Sequence, residues 1–176
     1  MYSPMIRFAG VCALALTLSG CTSVTVRSFE APGQRFNQYK TFNWDPGLTQ
    51  STGDPRLDNN RFFHDRVRVA VEKELTRRGL ERADAPDLLI HYHASVSQEI
   101  QIRHTEVGEQ YEAGGVAEVY DTGTLLIDLV DASNHHLVWR GWAEDSIDGV
   151  IENQDWMEKA IDQAVMRILR KLPQGL

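Results

Sequence analysis

Between Asp87 and Val96 apolar and polar residues alternate without a break. Leu88, Ile90, Tyr92, Ala94 and Val96 fall on one side; Leu89, His91, His93, Ser95 and Ser97 fall on the other. Successive Cβ atoms on an extended chain point to opposite faces, so this spacing suits a strand with one face buried and excludes a helix. The pattern extends in outline through Ile100 and Ile102. A strand needs neighbours for its backbone groups, and two more follow. Thr124 to Val130 and Leu137 to Ala143 are strand-like runs joined by a polar turn around Asp131-Ala132-Ser133-Asn134-His135, the pattern of a hairpin. Upstream, Val24-Thr25-Val26 and the aromatic-rich Tyr39-Lys40-Thr41-Phe42-Asn43-Trp44 read as further strands, with a turn at Ala31-Pro32-Gly33 between them.

Two other stretches have a helical period. From about Asn59 to Arg78, Phe63, Val67, Val71 and Leu75 recur every four residues with Ala70 in the same stripe, and Gly79 suits the position just past a helix end. Arg61, Arg66, Arg68, Lys73 and Arg77 occupy the outer face and read as solvated. Near the C-terminus Met157, Ile161, Ala164, Val165, Ile168 and Leu172 form a second stripe, with Asp155 as the expected cap and Pro173 as the stop. Residues 46–57 are rich in Gly, Ser, Thr, Pro and Asp and read as a polar loop. Residues 104–121, acidic and broken by Gly108 and Gly114-Gly115, read as a long loop or an irregular hairpin. The order is thus β-β-α-β-β-β-α. It predicts an α+β domain: a single mixed or antiparallel sheet of about five strands, with both amphipathic helices packed on one face.

The first twenty residues differ in kind from the rest. Arg7 precedes an apolar run from Phe8 to Leu18, too short for a helix across ~30 Å of hydrocarbon but of signal-peptide length. Leu18-Ser19-Gly20-Cys21 resembles the lipobox of bacterial lipoproteins. The resemblance implies removal of residues 1–20, lipidation of Cys21, a tether of residues 21–23 and a single domain over 24–176. With Thr22 rather than Asp after the cysteine, it also implies an outer-membrane address, facing the periplasm. A single acyl chain of myristoyl length anchors only marginally, at roughly 0.8 kcal/mol per buried methylene, whereas several on one residue hold stably. The alternatives are an ordinary cleaved signal with Cys21 as a thiol, or an uncleaved membrane helix, which the short apolar run disfavours.

Loss of residues 1–20 from the 176-residue chain leaves 156, the size of one domain with a full core. Cys12 leaves with the signal and Cys21 is the lipid site, so no thiol remains for a disulfide or thiolate metal site. The formal net charge of −7 gives no electrostatic reason to seek nucleic acid, and it leaves the acyl chains on Cys21 as the membrane contact.

The run Gly123-Thr124-Leu125-Leu126-Ile127-Asp128-Leu129-Val130-Asp131-Ala132, closed by Leu137-Val138-Trp139-Arg140-Gly141, resembles the signature of domain-of-unknown-function family 4136. So do Tyr39-Lys40-Thr41-Phe42-x-Trp44, Asp87-Leu88-Leu89-Ile90-x-Tyr92 and a lipobox followed at once by a strand. The resemblance covers essentially the whole mature chain. It implies an envelope lipoprotein with an α+β domain, and it brings no catalytic residues to carry over.

His91-x-His93 is the sharpest local candidate, because spacing of two on a strand puts both imidazoles on one face. If Leu125, Ile127 and Leu129 face the helices, Asp128 faces away from them. If Leu137 and Trp139 also point inward, Arg140 and Trp142 join Asp128. His91, His93, Asp128, Arg140 and Trp142 then share an open-face patch. A zinc site needs at least three converging ligands with support behind them, and only His91, His93 and Asp128 are on offer, so a wetted sheet face is the simpler reading. His135-His136 lies in a turn and makes a poor chelate. Glu106, Glu109, Glu112 and Glu118 lack the spacing of a calcium loop, and Gly114-Gly115 lacks what a phosphate cradle requires. No serine sits in a G-x-S-x-G elbow. Trp44, Trp139 and Trp156 read as core anchors, with Trp142 set outside by parity.

No catalytic, cofactor or metal residue is therefore assigned. The favoured reading is a non-catalytic interaction module whose open face or edge contacts an envelope protein, peptide or glycan. The alternative is an envelope-directed enzyme or metal-binding protein using His91, His93 and Asp128. A flat open face favours the first and a concave pocket around those three the second. A further alternative is that the 104–121 segment folds over this face and buries Trp142.

Overall fold

A computed structural model describes residues 24–46, 52–104 and 115–173. The expected signal segment 1–20, the tether 21–23 with Cys21, and Glu106, Glu109 and Glu112 lie outside those residues. Six strands form one mixed sheet: β1 (Thr25–Glu30), β2 (Thr41–Trp44), β3 (Glu81–Arg82), β4 (Leu88–His104), β5 (Gly115–Asp131) and β6 (Leu137–Ser146). They lie in the order β1-β6-β5-β4-β2-β3. β2 runs parallel to β3 and β4, and all other pairs are antiparallel. The helices are α1 (Pro55–Asp58), α2 (Arg61–Arg77) and α3 (Gln154–Leu169).

The strand beyond the expected five is the two-residue β3. α1 falls where a polar loop was expected, because Asp54 accepts a hydrogen bond from the Arg56 amide and Pro55 begins the turn. The β4–β5 hairpin takes the second of the two readings of 104–121, with regular pairing. Pairing runs from Leu88↔Asp131 to His104↔Gly115, so residues 115–121 continue the sheet and do not fold over its open face. Val116, Val119, Tyr120 and Thr122 carry the β preference that the acidic composition of 104–121 obscures. β6 accompanies β5 only from Val130 to Thr122, so the outer half of the hairpin is a two-stranded ribbon. Arg56 of α1 braces its base, reaching Asp121 Oδ2 at 3.1 Å and Asp54 Oδ2 at 2.8 Å.

α2 and α3 cover one face of the sheet and pack against each other. Asn60 caps α2 through the Phe63 amide, and Asn153 caps α3 through the Trp156 amide. The α3 cap is thus Asn153 and not Asp155, which sits in the first turn. Phe63, Val67, Val71 and Leu75 of α2 and Ile161, Val165 and Ile168 of α3 are buried against the sheet, each large aliphatic contributing about 1.5–3 kcal/mol. From the sheet, Ile90, Ile127, Leu129 and Trp139 meet them, all at most 1% exposed. The α2 cations are not merely solvated. Arg66 bridges to Glu158 at 3.1 Å and to Asp162, tying the two helices together, and the Arg68 guanidinium lies 5.0 Å above the Trp44 ring. The Trp44 indole N–H donates to Glu72 Oε1 at 2.7 Å.

Gly141 marks the tightest approach on this face. A Cβ there would stand 2.3 Å from the Trp139 ring and 2.7 Å from Ile168 Cγ2, so any side chain at 141 would meet both the indole and α3. A register shift between Leu129 and Val130 lies opposite the start of β6. It leaves Leu137 half-buried while Val138 and Trp139 both enter the core, which corrects the expectation that Leu137 points inward.

Candidate functional site

The face away from the helices is organised in rows set by register. One row crosses five positions: Phe29 on β1, Arg140 on β6, Asp128 on β5, His91 on β4, and Asp45 directly after β2. Within it the charges pair off. Arg140 Nε and Nη2 donate to the two Asp128 carboxylate oxygens, both at 2.7 Å, a bidentate arrangement among the stronger hydrogen-bonded ion pairs. Those bonds raise the Arg140 pKa above its ordinary value. His91 Nε2 lies 3.0 Å from Asp45 Oδ2; a carboxylate there selects the tautomer with hydrogen on Nε2.

Asp128 faces the open side, as strand parity requires, but it is not exposed: its side chain is only 11% accessible, against 42% for Arg140. The expectation of a solvated carboxylate there is corrected, because its own salt-bridge partner and the adjoining strands enclose it.

The next row holds His93, Leu126, Trp142 and Arg27. His93 and Arg27 are exposed, and Trp142 is half-buried. All five residues of the expected patch thus share one face, yet they do not converge. His91 turns to Asp45, Asp128 to Arg140, and His93 sits one row away. Among the described residues no three His, Cys, Asp or Glu side chains are grouped to hold a metal ion. The His135-His136 pair is exposed in its turn, with His135 at a positive φ of 57°. Trp44 and Trp139 are core residues, but Trp156 is 53% exposed. The expectation of Trp156 as a core anchor fails because helical spacing sets it beside the Met157–Ile161–Val165 stripe and not on it.

The concave feature lies on the opposite side. A cavity of about 400 Å³ opens between the first turns of α3, the β6–α3 connection and the outer part of the helix-side sheet face. Leu125, Ala143, Ile151, Met157 and Ile161 give it an apolar interior; Val24 and Trp156 also line it. None of the five patch residues does. Its size falls in the range of small-ligand sites and its lining is of the apolar kind they favour.

A family model described as "Domain of unknown function (DUF4136)" matches residues 26–174. The chain belongs to that family. Nothing among curated proteins matches this DUF4136 domain. Among solved structures, similar chains include a PDZ domain protein from Parabacteroides distasonis, with 18% identity, TM-score 0.49, 86% of this chain covered and 37% of the other. The DUF4136 chain therefore spans little more than a third of that protein's resolved length. The PelC dodecamer from Paraburkholderia phytofirmans shows 11% identity and TM-score 0.46, covering 83% of this chain and 94% of that one. A neuraminyllactose-binding hemagglutinin homolog from Helicobacter pylori shows 16% identity and TM-score 0.42, covering 80% and 86%. At these scores nothing about ligand or activity transfers.

Sequence reasoning on the DUF4136 chain missed Asp45, the partner of His91, and the whole cavity. Asp45 ends an aromatic strand whose place beside β4 no local pattern reveals. For the cavity one signal existed: Ile147, Val150 and Ile151 are too apolar for a plain connection between strand and helix. Among the described residues no helix is long and apolar enough to cross a membrane.

Proposed function

We propose that this protein is a lipid-anchored envelope protein, held through Cys21 on the periplasmic side of the outer membrane, and that its domain is a non-catalytic module that binds a polypeptide partner across the open sheet face. The observation carrying this reading is the pairing of the charges in one row of that face, Arg140 with Asp128 and His91 with Asp45. A general base or metal ligand needs its lone pairs directed at a substrate or ion; here they are directed at neighbouring strands. What the face offers outward is a half-buried tryptophan between an exposed histidine and an exposed arginine, residue types common at binding hot spots. The anchor rests on the lipobox-like Leu18-Ser19-Gly20-Cys21.

Two measurements test the two halves. Detergent-phase partitioning is expected to retain the wild type and release Cys21→Ser with the domain still folded; equal partitioning of both overturns the anchor. For the module, a photo-crosslinker at position 93 in the native envelope is expected to yield a discrete adduct that Trp142→Ser abolishes, while the same probe at exposed position 69 on α2 yields none. Indistinguishable adduct patterns at 93 and 69 overturn the open-face assignment.

A further inference from the structure

The cavity opens where the chain enters the domain. Val24 lines it, and Val26 on β1 pairs with Ala143, another lining residue. Cys21 lies three residues before Val24. Three residues span at most about 10 Å, so anything attached to the Cys21 sulfur or amino group is delivered to the cavity mouth. The interior is apolar and its mouth carries a large exposed aromatic, Trp156. A cavity of about 400 Å³ is of small-ligand size and admits an aliphatic chain.

From this placement we propose that the cavity is an acyl-chain site, and that its occupant is one of the acyl chains on this protein's own Cys21. The proposal rests on the lipid-anchor reading above. Burying a chain here removes the same methylenes from water as burying it in a bilayer. The tether adds an effective concentration in the millimolar range, which places the attached chain ahead of any dilute free amphiphile. The remaining acyl groups stay in the membrane. The anchor is then shared between the bilayer and the domain, and the cavity end of the domain is held against the lipid surface.

The test uses the full lipoprotein in its own membranes, with photoreactive p-benzoylphenylalanine in place of half-buried Ile151. Intact mass first reports whether Cys21 is acylated; an unmodified Cys21 overturns the anchor reading and this proposal together. With acylation present, the expected product after illumination joins the residue-151 peptide to the Cys21 peptide through an acyl chain. An adduct with a bilayer phospholipid, or none, overturns the cavity proposal and leaves the anchor standing. A second measurement needs no photoreactive residue in the cavity. The Cys21→Ser protein, its cavity vacated, is expected to bind cis-parinaric acid at one equivalent, at least tenfold more tightly than the Cys21→Ser, Ala143→Leu double variant. Equal binding by the two, or no saturable binding, overturns it.

Discussion

Ile127 and Asp128 are neighbours on β5 and both are buried, at 0% and 7% exposure, yet opposite physics buries them. Ile127 lies under the helices, where its contribution is apolar area removed from water. Asp128 lies on the other face, with no helix above it among the described residues, enclosed by the guanidinium that pairs with it. The helix-covered face is thus held by a non-directional effect that tolerates exchange among apolar residues of similar volume. The open face is held by directional pairs that tolerate almost no exchange at either partner. Low exposure on a sheet therefore does not say which face a residue occupies, and the two kinds of burial should respond differently to substitution.

The largest effect is expected from Ile127→Asp, which places a carboxylate among apolar side chains with no partner. Its cost of several kcal/mol is a large fraction of a typical domain's stability, and thermal melts should show no cooperative transition. A variant that melts near the wild type would break the face assignment outright. Gly141→Ala comes next, at about 1–3 kcal/mol or more, because its methyl meets the Trp139 ring and Ile168. A neutral result in chemical denaturation would show that the indole has room to move.

On the open face, Arg140→Ala and Asp128→Ala should each cost about 1–3 kcal/mol, with Arg140→Ala the larger. It strands a carboxylate whose side chain is 11% accessible, whereas Asp128→Ala leaves a guanidinium that is 42% accessible and able to turn to water. Denaturant midpoints for the two variants read this order directly, and the reverse order would mean that the arginine is the more deeply held partner. The smallest effect is spectroscopic. Among variants retaining one tryptophan each, acrylamide should quench Trp156 most, Trp142 less and Trp139 least. If Trp142 proves as shielded as Trp139, the open face is covered and its binding role loses its support.

The stripes of α2 and α3, the alternation in β4 and the β5–β6 hairpin are all local periodicities, and for that reason they could be read from the residues alone. Strand parity likewise assigned Asp128, Arg140 and Trp142 to one face. It could not assign their partners, because the His91–Asp45 contact depends on β2 lying parallel beside β4, a pairing set by the packing of α2 between them. The α3 cap was misplaced, since Asn153 and Asp155 are both competent and only the tertiary path chooses. The cavity was illegible for a different reason. It records where α3 and the sheet fail to meet, and no periodicity encodes a gap.

The pairing of β1 with β6 brings Thr25 against Glu144, joining the beginning of the domain to nearly its end. Thr25 and Glu144 stand 119 positions apart in the chain (144 − 25), and closing so long a loop makes this a late event in folding. Once formed, β1 is a six-residue edge strand hydrogen-bonded on one side only. Local opening should begin there, well below the free energy of global unfolding. In native-state hydrogen exchange β1 is then the first to give up its protection, while β4 and β5, paired on both sides at their base, hold theirs until the whole domain unfolds.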